Sequence, residues 1–214
     1  MRYFSNILSP VILLSVATTL SAGVIVSNGP ATSSSFRIGG PNSQAEAVVW
    51  VQSALTGVSI SALIGNVDII NTGSHAVDAY LELNTPGNLI NSTTVTVGTF
   101  ASPADFTPTV IFSGLSLASG AYRLTLFNTD TTGSVSIRWA VGGATTNTAN
   151  GAFLGSQYSN GPDTNVTNPY LSNFTTSTEL LGFTVDGTSP VPEPGTFLTS
   201  LVIFGAVGLL RRRA

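Results

Sequence analysis

The strongest constraint on this chain is alternation. Between residues 23 and 189, apolar and polar residues trade places in short runs cut by Gly, Asn, Pro, Ser and Thr, and no helix of ordinary length can be read. In Val77-Asp78-Ala79-Tyr80-Leu81-Glu82-Leu83 the odd positions are apolar, which places Asp78 and Glu82 on one face of a strand and Leu81 and Leu83 on the other. The face carrying the two acids is expected to be wet. The same pattern marks residues 122–126 and 135–141, where Val135, Ile137, Trp139 and Val141 point one way. Turn-forming residues at 128–133 predict that these two strands make a hairpin with Arg123 and Arg138 on its polar face. Further strands are expected over 48–52, 58–64, 94–97, 110–112 and 181–185.

Many short strands without intervening amphipathic helices predict an all-β domain over 23–186, arranged as a jelly-roll-like antiparallel β-sandwich. No repeat of fixed period points to a solenoid or propeller. Residues 144–173, rich in Asn, Thr, Gly and Pro, are expected to form a long surface loop, and 187–191 a linker.

The surface of such a domain must be neutral and hydroxyl-rich. Charged residues are 8% of the chain against about 25% in an average globular protein, and lysine is absent. Between residues 23 and 189 nine acids face only Arg37, Arg123 and Arg138, too few cations to neutralise a phosphate backbone, so no nucleic-acid role is expected. Without cysteine there is no disulfide framework, thiolate metal site or cysteine nucleophile. Regular alternation and aromatics such as Trp50, Tyr80, Tyr122 and Trp139 argue against disorder.

Both ends are hydrophobic. Met1-Arg2, an apolar stretch over 7–17 and the small residues Ser21, Ala22 and Gly23 follow the three-part plan of a secretory signal peptide over 1–22, a substrate for the secretory translocon and signal peptidase. At the other end, Val191-Pro192-Glu193-Pro194-Gly195 leads into an apolar run over 197–210 and then Arg211-Arg212-Arg213. As a helix, residues 195–210 would rise about 24 Å, short of the roughly 30 Å hydrocarbon core, which makes a marginal transmembrane helix. The arginines would flank it on the cytoplasmic side and leave the domain on the opposite side.

Val-Pro-Glu-Pro, a short apolar helix and a terminal arginine cluster together resemble the PEP-CTERM sorting signal of Gram-negative bacteria that form exopolysaccharide. The resemblance implies that the tail over 192–214 is read by an exosortase-like integral membrane enzyme near Pro192, Glu193 and Pro194, with Arg211, Arg212 and Arg213 as the flank. It implies transient membrane anchoring, then delivery to the cell surface or extracellular matrix. A plain single-pass anchor shares this topology and differs only in keeping its tail. Tails of this kind also carry the label of an ice-binding protein C-terminal domain, which says nothing of the domain upstream. The order of Ala79-Tyr80-Leu81, the run over 112–124 and Phe183-Thr184-Val185 resembles, loosely, the extracellular β-sandwich proteins that precede such tails.

No catalytic or metal-binding residue is assigned, and no cofactor is implied. His75, the only histidine, lies in a turn-like stretch with no Gly-x-Ser-x-Gly elbow in the chain. Asp78 and Glu82 stand about 13 Å apart along one strand, too wide for a glycosidase pair. Asp130 and Asp163 are hard oxygen donors in loops, which keeps calcium open, although turn-forming Asp explains them better. Tyr80 and Phe127 are candidates to stack on sugar rings. The sequons at Asn91, Asn165 and Asn173 are expected by chance in so Asn/Thr-rich a chain. The expected role is that of a non-enzymatic structural or carbohydrate-adhesive component of an exopolysaccharide biofilm matrix. The alternatives are a secreted carboxylate-dependent glycan hydrolase, and an ice-binding surface protein, for which Thr94-Val95-Thr96 is a short run.

Overall fold

The computed structural model describes residues 22–85, 87–130 and 135–189. The sorting motif Pro192, Glu193 and Pro194, the arginines 211–213 and nearly all of the signal-peptide stretch lie outside them. Among the described residues, no helix is long and apolar enough to cross a membrane; the helical elements are three single 3-10 turns.

Among the described residues, thirteen strands form two antiparallel sheets. The seven-stranded sheet has the order β10 (Thr145–Asn147), β1 (Gly23–Asn28), β13 (Phe183–Thr188), β4 (Leu55–Asn66), β9 (Ile137–Gly142), β2 (Ala31–Arg37), with β7 (Pro108–Leu117) also paired to β4. The six-stranded sheet runs β12 (Thr175–Ser177), β11 (Gly151–Ser159), β3 (Ala45–Gln52), β8 (Gly120–Phe127), β5 (His75–Leu83), β6 (Leu89–Val97). Between them lies a core in which Trp50 meets Tyr122 and Phe183 with ring centroids 5.9 and 5.7 Å away, and in which Trp139 is likewise fully buried. Each buried indole N–H finds an acceptor, Gln52 Oε1 at 2.8 Å for Trp50 and the Gly182 carbonyl at 2.7 Å for Trp139, as burial of a polar group demands.

Strands over 48–52, 58–64, 94–97 and 110–112 fall where alternation placed them, with longer bounds, while the strand expected over 181–185 is shifted to Phe183–Thr188. The hairpin does not form. Strand β8 pairs with β3 and β5, and β9 with β2 and β4, so the two strands lie in different sheets. Arg123 and Arg138 therefore belong to different sheets. The cause is the topology, in which β3, β4, β5, then β6, β7, β8 and β9 change sheet at every step except β5 to β6. The two-residue step from β7 to β8 is fastened by Tyr122, whose hydroxyl donates to the Ala118 carbonyl at 2.7 Å, a tie of the kind that secures corners in sandwiches.

Residues 144–173 are not one surface loop. They contain β10 and the nine-residue β11, which pairs with β3 across a bulge between Phe153 and Gly155, the latter at a φ of +153° that favours glycine. The last strand also continues through Gly187 and Thr188, the first two residues of the stretch read as linker, with β1 on one side and β4 on the other. Gly23 thereby sits opposite Gly187, and the described chain enters and leaves the sandwich at one end.

Candidate functional site

The outer face of the six-stranded sheet divides into a covered half and an open half. Alternation correctly puts Asp78, Tyr80 and Glu82 of β5 on this face, while Val77, Ala79 and Leu81 are buried in the core. The whole face is not wet, however. Glu82, Arg123, Thr125, Ala47 and Val49 are all buried, and strand β3 is covered on both faces, which explains its almost unbroken apolar run.

Residues 160–174 lie across β8 here, and one guanidinium gathers several of their contacts. Arg123 donates from Nε and Nη2 to Glu82 Oε1, both at 2.8 Å, and from Nη2 to the Tyr170 carbonyl at 2.9 Å. Its guanidinium carbon stands 4.6 Å from the centre of the Phe174 ring, a cation–π distance. Burial pushes the Glu82 carboxyl above the ordinary range, and the Arg123 charge and hydrogen bonds pull it part of the way back. Arg123 and Glu82 face each other in register on β8 and β5, so the pair is set by the strand alignment itself. Phe127, a candidate sugar-stacking residue, is buried.

Beyond this cover the face opens on β5 and β6. Tyr80 is half-buried, its ring 5.3 Å from that of Tyr170, which forms the boundary with the covered half. Burial is the main cause that raises the Tyr80 phenol pKa, followed by the charge of Asp78. The next outward residue, Asp78, accepts from the Thr94 hydroxyl at 2.7 Å, and Ser92 lies opposite Tyr80. Asp78, Tyr80, Ser92, Thr93 and Thr94 line an open depression of about 310 Å³.

The remaining predicted site residues are scattered. His75 opens β5 with Nε2 3.0 Å from the Asn71 carbonyl. Asp130 accepts from the Val135 amide at 3.0 Å, and Asp163 closes a 3-10 turn, both turn duties. No group of three or more His, Asp or Glu that could hold a metal occurs among the described residues. Asp78 and Glu82 share a face but no cleft, since Glu82 is sealed beneath 160–174 and Asp78 is open. The site residues missed in the sequence are Tyr170, Phe174 and the buried role of Arg123. The usable signal was Glu82 and Arg123 as isolated charges inside otherwise apolar strands, a pattern that burial tolerates only with a partner.

No protein-family model matches the chain, and no curated protein matches it. Among solved structures, it is similar to an active-site mutant of a family two carbohydrate esterase from Clostridium thermocellum, solved in complex with celluohexase, at 17% identity and a TM-score of 0.32. The match covers 63% of this chain and 33% of that one, so the chain spans about a third of the esterase's length.

Proposed function

We propose that the protein is exported, sorted through the membrane by its PEP-CTERM-like tail, and works at the cell surface or in the extracellular matrix as a non-enzymatic, glycan-adhesive jelly roll. Export is supported by the signal-peptide plan over 1–22, and sorting by the order of Pro192-Glu193-Pro194, apolar helix and Arg211-Arg212-Arg213 at the end of the chain. Translocon, signal peptidase and an exosortase-like enzyme act on it in turn. The jelly-roll reading is supported by the pairing of β3, β8, β5 and β6 in one sheet against β1, β13, β4 and β7 in the other, the interleaved order of two Greek keys.

One observation carries the adhesive part: the open half of the outer face offers an aromatic ring beside a carboxylate and a row of hydroxyls, at Tyr80, Asp78, Ser92 and Thr94. A non-enzymatic role is supported by the tying of Glu82, the other acid on that strand face, to Arg123, which takes it out of any pairing with Asp78.

Two measurements test this. Intact mass from envelope and medium fractions of the host should begin near Gly23 and end near Pro194; a mass retaining Arg211 to Arg213 overturns processing and leaves a permanent anchor. The mature protein should pull down the host exopolysaccharide, and failure to capture it removes the adhesive role.

A further inference from the structure

The open depression differs from the rest of the sheet in the polar atoms left over. Asp78 Oδ1 accepts from Thr94, and Oδ2 has no hydrogen-bond partner among the described residues. The hydroxyls of Tyr80 and Ser92, side by side in register, likewise make no hydrogen bond among the described residues. These groups surround a half-exposed aromatic ring whose position is fixed from behind. Tyr80 rests on Tyr170, and Tyr170 is held through its carbonyl by Arg123, itself locked to Glu82. Arg123 is thus a positioning residue for the wall of the depression.

A pyranose unit has the complementary shape and chemistry. One face of the ring is a sheet of C–H groups, which suits the electron-rich face of an aromatic ring. Its rim carries adjacent hydroxyl donors, and a carboxylate is an acceptor with two oxygens and no donor. The volume of about 310 Å³ lies at the lower end of the range for small-molecule sites, roughly 300–1,000 Å³, and the site is open, so it suits one unit of a longer chain lying across the sheet.

Charge narrows the class. The cation nearest in the fold, Arg123, is buried and neutralised by Glu82, while Arg37 and Arg138 face each other on β2 and β9 of the other sheet. A sugar carboxylate would meet Asp78 with no cation of the described residues placed to offset the repulsion. We propose that the Asp78–Tyr80 depression is a subsite for a neutral pyranose unit of a polysaccharide, stacked on Tyr80 and hydrogen-bonded through adjacent hydroxyls to Asp78, and closed to uronic acids. This rests on the adhesive reading and narrows it.

The test titrates the full chain, purified in detergent, with neutral gluco-, manno- and galacto-hexasaccharides and with a galacturonate hexamer, followed by calorimetry, and repeats the host-polymer pull-down with each variant. At least one neutral hexasaccharide should bind, and Asp78→Ala and Tyr80→Ala should each weaken it about tenfold, the scale of a lost charged hydrogen bond. Tyr80→Phe keeps the ring and should lose only a few-fold. Asp78→Asn keeps an acceptor without the charge, so it should retain most neutral binding and begin to admit galacturonate, with an unchanged thermal midpoint as the control for folding. Galacturonate binding as tight as neutral binding in the parent, or neutral binding untouched by both alanine variants, overturns the subsite. If the parent and all variants still capture host polymer equally, only the subsite fails; if the parent captures neither polymer nor hexasaccharide, the adhesive reading fails with it.

Discussion

Glu46 and Glu82 lie on the same six-stranded sheet, both about fully buried, and the fold treats them in opposite ways. Glu82 faces Arg123 across one register position and shares its guanidinium with the segment that covers it. Among the described residues, Glu46 has only the side-chain amide of Gln44, donating from Nε2 to Oε1 at 2.6 Å. Burial therefore pushes the Glu46 carboxyl up to about 8, offset only slightly by Gln44, whereas at Glu82 a full positive charge opposes the same burial. The difference separates two uses of a buried acid. At Glu82 the charge organises a surface, because the cation that neutralises it also clamps residues 160–174. At Glu46 the acid stays protonated at neutral pH and acts as a polar neutral group inside the sandwich.

Removing the cation should break this contrast most severely. Arg123→Ala leaves a buried carboxyl without its partner and frees the Tyr170 carbonyl, and should cost about 3–5 kcal/mol in urea unfolding. Replacing both partners, Arg123→Met with Glu82→Leu, should recover most of that loss, since a well-packed apolar pair is close to neutral in such sites. If the double variant is no better than the single one, the pair is holding the cover by more than charge.

Next in size is the pH dependence of Glu46. The folded protein holds a proton that the unfolded chain releases above the ordinary value of 4.5, so this contribution is whole below about pH 4.5 and is lost as pH rises towards about 8. The decline is at most about 1.4 kcal/mol per pH unit. Glu46→Gln should flatten most of it in thermal or urea unfolding across that window. Glu82 and Asp186, also raised by burial, add a smaller slope of the same sign that should survive in the variant. A parent whose stability rises with pH there would reverse the assignment.

How far the sequence reaches is visible in these same residues. The alternation in 77–83 correctly orients Glu82, but orientation is a local property and cover is not. The cover comes from 160–174, at least 78 residues beyond Glu82, in a stretch whose Asn, Gly and Pro content reads as solvent-exposed loop. Strand β11 was hidden by its small residues, among them Gly151, which leaves room for Ile25 of β1 and the Val51 carbonyl of β3, and Gly155 at the bulge. Strand β1 was hidden because Val24, Ile25 and Val26 follow directly on a stretch read as a leader. The hairpin between β8 and β9 was inferred from turn residues alone, which fix that the chain turns but not which sheet it joins. Of the open depression, Asp78 and Tyr80 were legible as outward residues; Ser92 and Thr94 became their neighbours only through the β5–β6 register.

Two smaller effects sharpen the contrast. Gln44→Ala removes the sole side-chain hydrogen bond to Glu46 and should cost about 1 kcal/mol while moving its titration higher, readable by NMR of the carboxyl. Phe174→Leu removes the cation–π contact to Arg123 and should cost about 0.5–1 kcal/mol, with faster proteolysis confined to 160–174. A global loss of protection in that variant would mean that the cover and the sandwich unfold together.

The position of β13 bears on how this molecule meets tension. Force applied beyond Thr188 runs lengthwise along a strand that is hydrogen-bonded to β1 on one side and β4 on the other. Both antiparallel ladders are then loaded in shear, where the bonds over 183–188 share the strain and must give way nearly together. An edge strand pulled sideways would peel one bond at a time. A domain gripped through β13 is mechanically strong in the direction in which a tail would pull it.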